Sequence, residues 1–116
     1  MEACDLVQKQ CKPCEGGVPP LSEMEVQEHL RATPLWGVGQ ERKHIERRWK
    51  FADFVTAIAF LQQVADVAEQ EQHHPDLHLT GYRHVKVVLT THAIGGLSEN
   101  DFIVAAKLDA LEDHAS

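Results

Sequence analysis

The sequence predicts an α+β domain with elements in the order α-β-β-α-β-β-α, folded as a four-stranded antiparallel sheet with its helices packed on one face. Two segments, 36–51 and 77–92, carry apolar residues at a period of two, as half-buried strands do. Between them, residues 52–72 switch to a helical period, and a helical pattern flanks the pair on either side. Hairpins separated by helices favour an antiparallel sheet with segregated helices.

Each element follows from local chemistry. Residues 1–21 read as an extended Cys/Pro/Gly-rich arm, because Glu15-Gly16-Gly17-Val18-Pro19-Pro20 suits neither a helix nor a central strand. Residues 22–116 form the single ordered domain. Ser22-Glu23-Met24-Glu25 is a capping box that opens a short helix, and Thr33-Pro34 stops it. Trp36 and Val38 start a hairpin that turns near Gly39-Gln40. In its second strand Ile45, Trp49 and Phe51 share one face with Arg47 as the odd member, and His44, Glu46, Arg48 and Lys50 share the other. The central helix carries two apolar stripes: Phe51, Phe54, Val55, Ile58, Leu61, Ala65 and Ala68, and beside it Ala57, Phe60, Val64 and Val67. A helix so apolar around its circumference needs cover on more than one side, which in a small chain points to a second subunit. Pro75 ends that helix. Leu77–Thr80 and Tyr82–His92 make the second hairpin, with Val85, Val87 and Leu89 inward. Gly95-Gly96 turns the chain, and Ser98-Glu99-Asn100-Asp101 caps the last helix.

Composition narrows the function classes. The formal net charge is −7, so a protein built to grip a phosphate backbone is not expected. No apolar run approaches the ~20 residues of a spanning helix, and the acidic start does not resemble a secretory signal. A cytoplasmic protein without membrane or nucleic-acid partners is expected. Cys4, Cys11 and Cys14 do not form a disulfide framework; Cys11-Lys12-Pro13-Cys14 has redox or metal spacing but no second ligand pair follows.

Histidine is the unusual entry in the composition, at eight residues. Glu69, four residues before His73 at a helix end, shares its face, and a carboxylate beside an imidazole fixes the tautomer and stabilises the imidazolium. That is how a general acid or base for neutral pH is made. Pro75 forces His74 out of helical geometry, so the two adjacent imidazoles diverge. His92 lies at the end of the last strand, where it can approach the helix end and complete a three-imidazole pocket. His29, His44 and His114 read as surface residues. Zinc at His74 and His78, with Glu71 and Asp76 nearby, is the rival, but Pro75 lies between the two histidines and an extended His78 would project away.

Glu69-x-x-x-His73-His74-Pro75-Asp76, Tyr82, Thr91-His92 and Gly96-Leu97-Ser98-Glu99-Asn100-Asp101 together resemble the pterin-4a-carbinolamine dehydratases, as do Trp36 and Arg48-Trp49-Lys50-Phe51-Ala52-Asp53-Phe54. The resemblance covers about residues 22–112, and the arm resembles the N-terminal extension of one branch of the family. It implies the same α+β fold, a homodimer or homotetramer, and dehydration of 4a-hydroxytetrahydropterin to quinonoid dihydropterin, with no metal or organic cofactor, in the service of an aromatic amino acid hydroxylase. It also implies roles. His73 and His92 would exchange protons with the substrate and His74 would hold and polarise the ring. Glu69 would orient His73, Asp101 and Pro75 would support the site, and Trp36 would supply an aromatic wall or a piece of the core. Leu77 departs from the tryptophan common at its position. The family implies a second class of function as well, partnership with a hydroxylase or a transcription regulator through an exposed helix surface.

Overall fold

The computed structural model describes residues 3–11 and 19–115. Its helices are α1 (Ala3–Val7), α2 (Glu23–Ala32), α3 (Phe54–Glu71) and α4 (Glu99–Ala115). The strands are β1 (Gly37–Val38), β2 (Ile45–Lys50), β3 (Asp76–Thr80) and β4 (His84–Leu89), and single 3-10 turns occupy Gln40–Arg42 and His92–Ile94. All neighbours in the sheet are antiparallel, in the order β1-β2-β4-β3, so the two hairpins meet through their second strands. This is the α+β arrangement that the periodicities predict.

The register explains which face packs. Ile45, Arg47 and Trp49 lie opposite Leu89, Val87 and Val85, and all six are buried. The alternate residues of these strands, Glu46, Arg48, Lys50, His84, Lys86 and Val88, point away from the core. Arg47 belongs on the buried face because α4 supplies its counter-charge. Its guanidinium stands 2.5 Å from Asp109 and lies 4.5 Å above the Trp49 ring. Trp36 donates from its indole nitrogen to the same carboxylate at 2.8 Å and meets Trp49 edge-on, so it is a core residue.

The second α3 stripe is core except for half-buried Val67, and of the first stripe only Ala68 joins it, with Phe51, Leu61 and Ala65 half-buried. Ala57, Phe60, Val64 and Ala68 are buried against the sheet, with Phe60 in contact with Trp49 and Phe51. Each large side chain buried there contributes roughly 1.5–3 kcal/mol. Phe54, Val55 and Ile58, from the other stripe, stay exposed. The helix begins where Asp53 accepts a hydrogen bond from the Thr56 amide, and α2 has the complete Ser22/Glu25 capping box.

Two expectations need correction. The first segment is not extended where it is described: α1 is a helical turn that packs on α4 and buries Leu6 completely. Proline and glycine exclude regular structure only where they stand, and α1 precedes them. Cys14 lies outside the described residues, as does the side chain of Cys4. His29 is buried rather than superficial, because its Nδ1 donates to the Glu25 carbonyl at 2.7 Å and its ring lies beside Phe102. His44 is half-buried, and the His114 side chain lies outside the described residues.

Candidate active site

The end of α3 sets the geometry. Gln72 takes the left-handed conformation (φ 54°, ψ 38°), normally left to glycine, and its amide closes on the carbonyls of Ala68 and Glu69. A left-handed residue other than glycine costs about 1–2 kcal/mol, and this one stands directly before His73-His74. The turn carries His73 off the helix face and toward α4. Its Nε2 lies 2.6 Å from Asp101 Oδ1. Glu69 meets the next residue instead, with its carboxylate in a short hydrogen bond to His74 Nε2. The expected Glu69–His73 pair is therefore corrected: four-residue spacing joins two side chains only while the helix continues, and α3 stops at Glu71.

Asp101 is fully buried and its acceptor sites are well used. Oδ2 receives the Thr91 hydroxyl at 2.8 Å and the Ser98 amide at 3.0 Å, while Oδ1 receives His73. Because Thr91 donates to Asp101, the Ser98 hydroxyl donates to Thr91 at 2.8 Å. One carboxylate thus ties the α3 end, the chain after β4 and the start of α4. Thr91 also pairs with Gly96 across the turn, with Gly95 at φ 67°, and this closure presents His92 at the head of a 3-10 turn rather than at the strand end.

These elements enclose a cavity of about 730 Å³, within the usual range for small-molecule sites. His73, His74 and His92 all border it, with Gln70, Glu71 and Gln72 from α3, Thr90, Thr91 and Ala93 after β4, and Asn100 from α4. Gln10 and Cys11 complete the wall. The three predicted histidines are brought together. Glu69 and Asp101 are one bond removed, holding imidazoles that border the cavity. Pro75 and Trp36 are not among its lining residues, and Trp36 is in the core for the packing reason given above. Leu77 is exposed on β3 and does not border it either.

Sequence reasoning missed a second buried group. Glu71 holds Lys107 of α4 at 2.8 Å and accepts the Cys11 amide at 2.9 Å. Burial works to raise the Glu71 carboxyl, but the Lys107 hydrogen bond and the Cys11 amide outweigh it and hold the group below its ordinary 4.5. The Cys11 thiol, half-buried and next to that carboxylate, is pushed up to about 12, first by burial and then by Glu71. It stays protonated and is not a nucleophile. No spacing in the sequence foretells a contact 60 residues apart. Among the described residues no three His, Cys, Asp or Glu side chains converge as metal ligands: His78 is exposed on β3 and His74 is engaged by Glu69. No described helix is long and apolar enough to cross a membrane.

Comparison with known proteins agrees with this architecture. A Nitrosomonas eutropha protein, provisionally named a pterin-4-alpha-carbinolamine dehydratase, is 50% identical over 109 residues, 93% of this chain and 94% of that protein. The mitochondrial pterin-4-alpha-carbinolamine dehydratase 2 of Arabidopsis thaliana is 42% identical over 93% of this chain and 59% of its own length. A crystal structure of a transcriptional coactivator/pterin dehydratase from Brucella melitensis superposes with a TM-score of 0.74 at 40% identity, covering 79% of this chain and 97% of that one. The family model for Pterin 4 alpha carbinolamine dehydratase matches residues 19–111, from the prolines before α2 to the end of the described side chains of α4, and the chain belongs to that family.

Proposed function

We propose that this protein dehydrates 4a-hydroxytetrahydropterin to quinonoid dihydropterin and water, with His73, His74 and His92 as the proton-handling and ring-holding groups. The observation that carries the reading is the convergence of three imidazoles on one cavity, two of them each held by a carboxylate. Breaking the C4a–oxygen bond needs a proton on the departing hydroxyl, and forming the ring double bond needs a proton lost from a ring nitrogen. Asp101 accepts from Thr91 and the Ser98 amide, so His73 donates to it from Nε2, which leaves Nδ1 as the nitrogen that can take a proton from the substrate. Glu69 does the same for His74, which holds and polarises the ring. His92 is exposed and its imidazole makes no hydrogen bond among the described residues, so it is free to deliver the proton to the leaving oxygen. Once reduced to the tetrahydropterin by a separate reductase, the product would again serve an aromatic amino acid hydroxylase. The test is turnover by a His73→Ala, His92→Ala double variant: dehydration lost with the fold intact supports the assignment, and unchanged turnover refutes it.

A second reading rests on α3. Phe54, Val55 and Ile58 form an exposed apolar stripe, and large exposed stripes of this kind mark protein contacts. A second copy of this chain would cover it, giving a homodimer or homotetramer. The name of the Brucella structure includes a coactivator role, for which the same helix surface would be the docking face. Light scattering of Val55→Glu against the native chain decides whether the stripe is a subunit contact.

A further inference from the structure

The N-terminal segment lies before the residues that the family model matches, yet it reaches the cavity. Three contacts hold it there. Leu6 is fully buried by the packing of α1 on α4. Lys9 pairs with Glu99 at 3.2 Å. The Cys11 amide donates to Glu71 at 2.9 Å, while its thiol donates to the Asn100 carbonyl at 3.6 Å. Glu71 is itself fixed by Lys107. A segment tied at positions 6, 9 and 11 leaves Gln10 little choice of place. Gln10 borders the cavity, is exposed, and has no side-chain hydrogen bond among the described residues.

We propose that residues 9–11 are a fixed wall of the substrate cavity and that Gln10 is a specificity-determining residue, whose amide pairs with the polar pyrimidinone edge of a bound pterin. This rests on the pterin reading of the site. A carboxamide offers a carbonyl acceptor and two N–H donors in one plane, which matches an edge that alternates a carbonyl, a ring N–H and an amino group. The imidazoles need only reach the 4a-carbon side of the ring, so a separate group is required to tell this heterocycle from other flat ones. A site that hydrogen-bonds a ligand edge rejects analogues lacking it, because its own polar group is then left unpaired. Cys11 contributes through its backbone, and its protonated thiol adds no charge to the wall.

The experiment compares the native chain with Gln10→Ala, Gln10→Glu and, as a control, Gln8→Ala, which changes an exposed residue that does not border the cavity. Each is assayed for turnover of 4a-hydroxytetrahydropterin and for calorimetric binding of an unreactive oxidised pterin and its N3-methyl derivative. We expect Gln10→Ala to raise KM and the pterin Kd about five- to tenfold, with kcat within about twofold and the N3-methyl compound bound equally by both chains. Gln10→Glu loses the donor to the pterin carbonyl but keeps acceptors for the ring N–H and amino group, so it should bind the unmodified pterin more tightly than Gln10→Ala does, and Gln8→Ala should match the native chain. Equal KM and Kd in the native chain and Gln10→Ala overturn the proposal. A native chain that binds pterin without turning it over removes the dehydratase reading and leaves Gln10 to be judged on the Kd values. A native chain that binds no pterin removes both.

Discussion

His73–Asp101 and His74–Glu69 are the same chemical pair in adjacent residues, placed in opposite surroundings. In the first the side chains are 12% and 0% exposed; in the second, 58% and 72%. Asp101 has three hydrogen-bond donors fixed by three parts of the chain, whereas the Glu69 carboxylate meets only His74 among the described residues. An exposed pair is weakened by solvent and salt and contributes about 0–1 kcal/mol. A buried carboxylate whose donors lose it leaves each of them unsatisfied. The lesson is that an imidazole–carboxylate contact orients His73 rigidly and His74 only loosely, although their sequence contexts are nearly identical.

Asp101→Ala should do the most damage. It leaves the Thr91 hydroxyl, the Ser98 amide and the His73 ring without their acceptor, and a loss of roughly 3–5 kcal/mol in urea unfolding is expected. Asp101→Asn keeps the volume and most of the bonds but takes away the anion that fixes the His73 tautomer; a drop in kcat of about 100-fold or more is expected, with a smaller stability change. Thr91→Val removes one donor and should lower stability by about 1–2 kcal/mol. Glu69→Gln should change stability by less than about 0.5 kcal/mol and turnover only a few-fold, and its effect should shrink further in 1 M salt, while that of Asp101→Asn should not. A Glu69→Gln loss as large as that of Asp101→Asn would abolish the distinction between the pairs.

Acid titration probes the carboxylates that the fold holds ionised. Glu71 and Glu99 are both held below their ordinary 4.5 in the folded protein. A carboxyl depressed on folding stabilises the protein above its unfolded value, and that contribution disappears as pH falls through the lower folded value. Stability should therefore decline as pH drops below about 4.5, and Glu71→Gln should flatten the decline while lowering stability at pH 7, because the anion that pairs with Lys107 is gone and a single amide oxygen cannot accept from both Lys107 and the Cys11 amide. Thermal unfolding at pH 7 and pH 4 measures both.

Period-two patterns placed the two central strands, β2 and β4, and helical patterns the three large helices, because side-chain alternation is a local property of the backbone. Proline and capping chemistry gave the ends of α2 and α3 for the same reason. The three histidines could be singled out by adjacency, element ends and the family resemblance. Their partners could not. Whether Glu69 reaches His73 or His74 depends on the left-handed turn at Gln72, and nothing in a glutamine forecasts a conformation that glycine usually takes.

By itself the sequence determined the fold class, the buried face of the sheet and the membership of the imidazole set. Only the tertiary structure decided that Asp101 serves His73, that Glu71 joins Lys107 to the N-terminal segment, and that Leu6 and Gln10 bring that segment into the core and to the cavity. The physical reason is the range of the interactions. Periodicity and caps act over a few residues, but Asp101–His73 and Glu71–Cys11 join positions 28 and 60 residues apart, which meet only once the helices have packed on the sheet.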